Sequence, residues 1–418
     1  ARRGKGVFGM NPLREEAHWA VEAWRASGFP TEADTAVLFH SWNAHKRYLD
    51  HLAQAFGQSR ALHAVAIKTQ PHLEILKRVV EWGFGLEAAS MEEVQLALHA
   101  GCPSERIVFD SPVKTRAEIA FCHENLPGLR FNVNSLEELE RLPEQPSFAV
   151  GIRINPMVDT GAPSVYHVSH DESKFGVPIG QREALLAAIE RYPVVQLHVH
   201  SGSSMAQLDS AVAAIQSVVA LAQEANARLA AKGLGRQIHS IDIGGGLMPE
   251  MLRTAPSRMQ GYADALRTAC PELWDFQIIT EFGQWSYFYT GYAFSHVEYA
   301  VQRGETRVAY VHLGADFLLR DAYAKPRGIT FEVLGEGAMR SSVRTDIAGP
   351  LCFAGDYLQK GVDLPRLEEG DGLLLLNTGS NAYALWSRHC SRTIPAIYGV
   401  DYDAKRLDLL SARFNPFV

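Results

Sequence analysis

Three short stretches of the 418-residue chain hold residue types that can do chemistry. In "AVAIKTQP" (64–71) an apolar run ends on Lys68 and is stopped by Pro71. A lysine at the mouth of a buried strand, partly stripped of water, sheds its proton more easily and can condense with an aldehyde as a Schiff base. In "HVHSGSS" (198–204) and "DIGGGL" (242–247) apolar runs end on small residues, whose backbone N–H groups can converge on an anion such as a phosphate. Glu281, near the end of "FQIITEFG" (276–283), is an acid placed to hold a proton on a ring nitrogen, and His200 is a ring that could lie flat against another. Taken singly, each has a plainer reading: a solvated strand cap, a tight turn, a satisfied core histidine.

The elements that must position these residues are legible as a repeating pattern. Eight short apolar runs, at 62–68, 85–90, 106–111, 129–133, 148–155, 195–202, 238–246 and 276–283, alternate with segments of helical period such as "PHLEILKRVVEW" and "SMEEVQLALHA". That is the pattern of βα units around a parallel sheet, and eight of them predict a (β/α)8 barrel of the TIM type, an α/β fold whose active site lies at the carboxyl ends of its strands. After residue 285 the chain turns to alternating aromatic and β-branched runs such as "RVAYVHL" and "GITFEVLG", which predict an antiparallel β domain. The early run "TAVLFHS" would be a ninth barrel strand and is assigned to that β domain. The expected organisation is an N-terminal segment, 1–42, contributing to the β domain, a barrel over 43–284, and the C-terminal β domain over 285–418.

Composition narrows the function classes. Apolar residues make up 47 % and charged residues 21 %, as in a globular protein without long disordered tracts. A net charge of -7 with no basic run gives nucleic acid or an acidic membrane no electrostatic hold, so a small molecule is the expected partner. The five cysteines are scattered without metal-ligand spacing, so no metal is expected, and they fit a reduced, cytoplasmic setting. No apolar run reaches spanning length. The chain starts without methionine, which leaves open a leader ahead of it.

A lysine that traps an aldehyde and a phosphate cradle at one barrel mouth together imply pyridoxal 5'-phosphate, with Glu281 keeping the pyridine nitrogen protonated and so making the ring a stronger electron sink. At this point the chain resembles the fold-type III pyridoxal-phosphate decarboxylases, the diaminopimelate and ornithine decarboxylase family, closer to the diaminopimelate branch. The matching pieces run in the family's order along nearly the whole chain: "AIKTQP", "GLEAAS", "IVFDSPVKT", "GIRINP", "ESKFGV", "LHVHSGS", "IDIGGG", "TEFG", "GPLCFAGD" and "SNAYA". The resemblance implies a barrel with a β domain like those of alanine racemase and ornithine decarboxylase, and an α-amino-acid decarboxylase acting in biosynthesis. It implies that Lys68 holds the cofactor covalently, Glu281 pairs with the pyridine nitrogen and His200 stacks on the ring. Ser203, Gly244, Gly245, Gly246 and Tyr383 are implied to hold the phosphate. Cys352 is implied to return a proton once carbon dioxide has left, with Asp356 in the same motif. It also implies a homodimer with shared active sites.

Three departures bear on the substrate. Family members that read a distal amine carry an acid directly after the motif cysteine, where this chain has Phe353, whose ring offers no charge-assisted bond. "EFGQ" stands in place of "EPGR", so Gln284 replaces an arginine associated with phosphate and substrate, and "KTQP" replaces an asparagine before the proline. Pointing back toward diaminopimelate-like substrates, "VYHVSHDESKFGV" (165–177), with Tyr166, resembles the loop that holds the distal end, and "KPRG" sets Arg327 near a distal-carboxylate arginine. The resulting expectation is an amino acid with a distal carboxylate or acyl group, free or tethered to a carrier, in a specialised pathway. Diaminopimelate decarboxylase proper, an amino-acid racemase and an inactive cofactor-binding homologue are the alternatives. Glu281 and the cysteine motif argue against the racemase, and the presence of both Lys68 and Cys352 against the inactive form. A barrel aldolase using the lysine alone would leave the glycine-rich loops unexplained.

Overall fold

The computed structural model describes residues 11–158, 173–200, 208–252, 257–324 and 326–418. The chain divides into two compact units, one of residues 1–47 with 287–418 and one of residues 48–286.

The first unit begins with the helix Arg14–Ala26, followed by strand β1 (Ala36–Ser41). The second unit then holds β2 (Leu62–Ala66), β3 (Gly85–Ala88), β4 (Ile107–Phe109), β5 (Arg130–Val133), β6 (Ala149–Asn155), β7 (Val177–Pro178), β8 (Val194–Val199), β9 (Ser240–Asp242) and β10 (Gln277–Thr280). Pairing runs β2-β3-β4-β5-β6-β8-β9-β10 and back to β2, parallel throughout. The ring is therefore closed, with the two-residue β7 appended to β6. The eight strands of this barrel fall on the eight apolar runs. Their residues are buried almost throughout, as expected for strands covered on one side by helices and on the other by the barrel interior.

One sequence expectation changes in detail. The run 62–68 is not strand to its end: β2 stops at Ala66, and Ile67–Thr69 form a single 3₁₀ turn. The turn is closed by Gln70 N–H donating to Ile67 O (2.9 Å) and by Thr69 Oγ1 donating to Ala66 O (2.7 Å). Lys68 thus projects from a turn tied at both sides, a stiffer mount than a fraying strand end.

The first unit continues with β11 (Gly291–Arg303), β12 (Thr306–Val311), β13 (Thr330–Leu334), β14 (Ser342–Ala348), β15 (Tyr357–Pro365), β16 (Gly372–Leu376), β17 (Ala396–Asp401) and β18 (Arg406–Ser411). One sheet runs β15-β14-β12-β11-β1-β17-β18, with β16 pairing β11 and β13; it is mostly antiparallel, with β1–β17 and β12–β14 parallel. β1 lies within it, between β11 and β17, with all six residues buried. Ala36 and Leu38 join a core with Ala293, Leu373, Leu375 and Ile397 on one face. Val37 and Phe39 join Tyr292, Phe294, Leu374 and Tyr398 on the other. The helix Arg14–Ala26 covers that second face with Ala17, Ala20, Val21 and Trp24, spaced i, i+3, i+4, i+7. No described helix is long and apolar enough to cross a membrane.

That helix also buries a carboxyl group. Glu16 accepts hydrogen bonds from Ser41 Oγ (2.9 Å) and Tyr292 Oη (3.1 Å), while Arg47 and Asp403 act on it with opposite signs. Burial outweighs the hydrogen bonds and pushes its pKa up to about 7. Because the folded value lies above the unfolded one, the group costs nothing where both states carry the proton. As pH rises toward 7, only the unfolded chain sheds the proton freely, and stability falls. Glu16→Gln, which keeps the hydrogen bonds without the charge, is expected to raise stability by roughly 1–2 kcal/mol at pH 8 and by little at pH 4.5. Urea melts at the two pH values check this.

Candidate active site

Ionisable residues collect at the carboxyl ends of the barrel strands. Lys68 follows β2, Glu87 lies in β3, Asp110 directly follows β4, Arg153 is in β6, His198 in β8, Asp242 ends β9 and Glu281 directly follows β10. Glu87, Asp110, His198, Asp242 and Glu281 are each at most 6 % exposed. Each is a polar residue at or near the end of a largely apolar strand.

Two lysines are held near this end, and their surroundings separate their roles. Lys114 is enclosed: its three N–H bonds go to Ser111 O (2.7 Å), Asn132 O (2.7 Å) and Glu138 Oε1 (2.9 Å), and it lies over the rings of Phe131 and Phe109. A fully satisfied ammonium is a structural tie. Lys68, among the described residues, donates to one acceptor, Glu87 Oε2 at 2.7 Å, and 47 % of its side chain is accessible above a Glu87 that is closed off. Lys68 is the amine placed to react.

Its protonation differs from the expectation of a lysine that readily loses its proton. Burial does work in that direction, but the carboxylates of Glu87, Asp110 and Glu281 outweigh it and hold the ammonium above its ordinary value. Burial and the neighbouring Asp110 push Glu87 well up. Against the upward push of its own burial, Asp110 is held low by Lys68 and by a hydrogen bond from Glu87. Lys68 therefore rests as an ammonium hydrogen-bonded to Glu87, which holds its own proton toward Asp110.

His200 follows β8 and is held well below its ordinary pKa, by burial first and then by Arg153 and Lys68. It is neutral, and its Nδ1 accepts from the N–H of Gly245 (3.2 Å). The glycine loop is pressed against the strand ends. A Cβ on Gly244, at φ 65°, would stand 2.7 Å from Val199 O, and one on Gly245 would stand 2.5 Å from Glu281 O. Gly244 N–H donates to Asp242 Oδ1 (2.9 Å). The expectation that this loop's amides are free for an anion is thus revised: tight packing turns the amides of Gly244 and Gly245 inward, while Gly246 is the one of the three at the accessible surface. Gln284 opens the short helix Gln284–Tyr287. Ser203 and Tyr166 lie outside the described residues.

These groups fit a pyridoxal cofactor. Lys68 offers a reachable amine, His200 a neutral ring, and Glu281 a buried Oε1 without a hydrogen-bond partner among the described residues, suited to a ring N–H. Asp110, His198 and Glu281 also present ligand atoms within 4.8 Å of one another. Lys68 and Arg153 already act on Asp110 with their positive charge, and His198 is directed at carboxylates, so the cluster has its cations in place.

The remaining expected residues belong to the first unit. Cys352 is exposed on the loop between β14 and β15. Phe353, next to it, stacks on Tyr323 with centroids 5.2 Å apart and planes 6° from parallel. Asp356 is 3 % exposed, and its carboxylate accepts from Ala315 N–H and Leu351 N–H, each at 2.6 Å. A Cβ on Gly349 would come within 2.3 Å of that carboxylate. Asp356 was expected at the substrate; its oxygens instead brace the cysteine loop. Arg327, expected to read a distal carboxylate, is paired with Asp321 (2.7 Å), donates to Ser380 O (2.7 Å) and lies over Phe288. Its guanidinium is committed within its own unit, and the poor match around "KPRG" is the sequence sign of that. Tyr383 opens a 3₁₀ turn, partly buried against the sheet core. The residues missed by sequence reasoning are Glu87, Asp110, Arg153, His198 and Asp242, whose signal was an ionisable residue near the carboxyl end of each apolar run.

Residues 43–287 match the family described as pyridoxal-dependent decarboxylase, pyridoxal binding domain. Diaminopimelate decarboxylase of Aquifex aeolicus is 30 % identical over 370 residues, covering 86 % of this chain and 84 % of its own length. That of Pseudomonas aeruginosa is 29 % identical, covering 81 % of each. Among solved structures, diaminopimelate decarboxylase from Helicobacter pylori complexed with L-lysine aligns with a TM-score of 0.81 at 24 % identity, over 94 % of this chain and 96 % of its own. The arginine decarboxylase of Paramecium bursaria Chlorella virus aligns at 0.79 and 19 % identity, over 92 % and 100 %. At these identities the structural likenesses speak for the fold.

Asp356→Ala is expected to cost about 2–4 kcal/mol, because two buried amides lose a charged acceptor, and Asp356→Asn to cost less. Denaturant unfolding of the two variants tests this.

Proposed function

Since the chain belongs to the pyridoxal-dependent decarboxylases, a family of amino-acid carboxy-lyases, we propose that its substrate is a diaminopimelate-like α-amino acid whose distal end is a carboxylate or acyl group. The observation that carries this reading is the Phe353–Tyr323 stack beside Cys352. Two rings make an apolar surface that suits an acyl or aliphatic end and gives a distal ammonium no charge-assisted partner. meso-Diaminopimelate itself is the second reading, favoured by the names of the relatives.

In the reaction, Lys68 Nζ, accessible above Glu87, would shed a proton to water and become the amine that holds the cofactor. Glu281 would accept the ring N–H, and His200 would support the ring's face. When bound, pyridoxal phosphate supplies the electron sink that makes loss of carbon dioxide accessible. Cys352 then delivers a proton to the α-carbon as general acid. By the family resemblance, the working unit is proposed to be a homodimer with shared sites.

Product mass spectrometry on diaminopimelate, lysine, ornithine and ω-carboxylated or acylated diamino acids tests the substrate. The expected result is carbon dioxide loss from a distally carboxylated or acylated member, abolished in Lys68→Ala together with the visible absorbance of the loaded enzyme. A kcat/KM highest for meso-diaminopimelate would overturn the distal-acyl reading in favour of the second. For the dimer, mixing inactive Lys68→Ala and Cys352→Ala proteins is expected to restore activity to about a quarter of wild type, because half of randomly assorted dimers carry one complete site.

A further inference from the structure

His198 has no part in the reaction as described, yet it lies among the ionisable groups of the barrel mouth. It is fully buried. Nδ1 lies 2.9 Å from Asp242 Oδ2 and 3.3 Å from Glu281 Oε1, and Nε2 lies 3.8 Å from Asp110 Oδ2. Three carboxylates on three different strand ends thus converge on one imidazole. The carboxylate beside it fixes where the proton lies: Nδ1, 2.9 Å from Asp242 Oδ2, donates to that oxygen. Asn132 Oδ1 accepts from Gln196 Nε2 (2.7 Å), which turns Asn132 Nδ2 toward the same Asp242 Oδ2 (3.4 Å).

We propose that His198 is a positioning residue which, as an imidazolium clamped between Asp242 and Glu281, favours the carboxylate form of Glu281 aimed at the cofactor's ring nitrogen. The proposal rests on the decarboxylase reading, in which Glu281 meets that nitrogen.

The electrostatics of Glu281 show why it needs such a partner. Burial and the negative charge of Asp242 push its proton affinity up, with a pKa of about 8, and His198 pulls against them. For His198, burial acts downward, but Glu281 and Asp242 overcome it and push the value up to about 10. The other charges facing the group are Asp110, Lys68 and Arg153, with neutral His200 beside them. Without the imidazolium, Glu281 would sit beside Asp242 with nothing positive between them and would hold its proton more tightly still. A neutral carboxylic acid is a donor toward a ring nitrogen and leaves that nitrogen unprotonated, which weakens the electron sink.

The test reconstitutes wild-type protein and His198→Gln with pyridoxal phosphate labelled with 15N at the ring nitrogen, and follows its NMR shift from pH 6 to 9. The wild-type nitrogen is expected to stay protonated throughout, and that of the variant to lose its proton within the range. The variant's kcat should fall about 10- to 100-fold, as for other residues supporting a ligating group, with KM nearly unchanged. Added to Glu281→Gln, it should cost little more, because the two act as one unit. An unchanged ring-nitrogen shift in His198→Gln, or full additivity with Glu281→Gln, would overturn the proposal. Should His198→Gln fail to load cofactor, His198→Asn replaces it. A wild-type ring nitrogen that is already unprotonated at pH 7 overturns the proposal without any variant. Failure of the wild type to take up the cofactor at all would instead count against the decarboxylase reading.

Discussion

The barrel is organised around a charge imbalance that its interior has to hold. Glu87, Asp110, Asp242 and Glu281 are carboxyl groups withdrawn from water at neighbouring strand ends, and isolated ions in such a place would simply take up protons. The cations that face them are Lys68, Arg153 and the imidazole of His198. The chemistry of the site follows from this arrangement. Lys68 rests as an ammonium, Glu281 is available to a ring nitrogen, and His200, pressed by burial and by the same cations, is neutral.

Packing enforces these positions. Gln196 ties Asn132, which faces Asp242 and His198. The glycine loop after β9 lies against the backbone of Glu281 and of the residue before His200, so that a single methyl there would displace the acid and the ring together. Lys114, with every donor satisfied, ties the loop after β4 to β5 and to Glu138. The enclosed lysine stiffens the frame in which the accessible one reacts.

In the first unit, β1 plays the organising part, buried on both faces between two apolar clusters. Around this sheet, loops are held by carboxylates that accept backbone amides: Asp356 from Ala315 and Leu351, and Asp316 from Gly314 and Phe317. Such bonds fix loop shape where no strand pairing can, which leaves Cys352 and Phe353 on a defined surface though neither is in a regular element.

Local pattern was enough for much of this. Eight apolar runs at βα spacing determined the barrel, the alternating aromatic runs determined the sheet, and "AIKTQP" marked Lys68 as a reactive amine, because strand period and turn chemistry act over a few residues. What a side chain meets across the barrel is not a local property. Only the closed ring could bring Glu87 under Lys68 and raise its proton affinity, set His198 among three carboxylates from other strands, and turn two glycine amides inward. Arg327 and Asp356 make the same point from the other unit: their motifs suggested substrate contacts, and the fold spends one on Asp321 and the other on two backbone amides. Sequence determined which charged groups the chain carries to its strand ends. Tertiary structure decided which are paired, and therefore which can react, because burial and Coulomb interactions depend on distance in space and not along the chain.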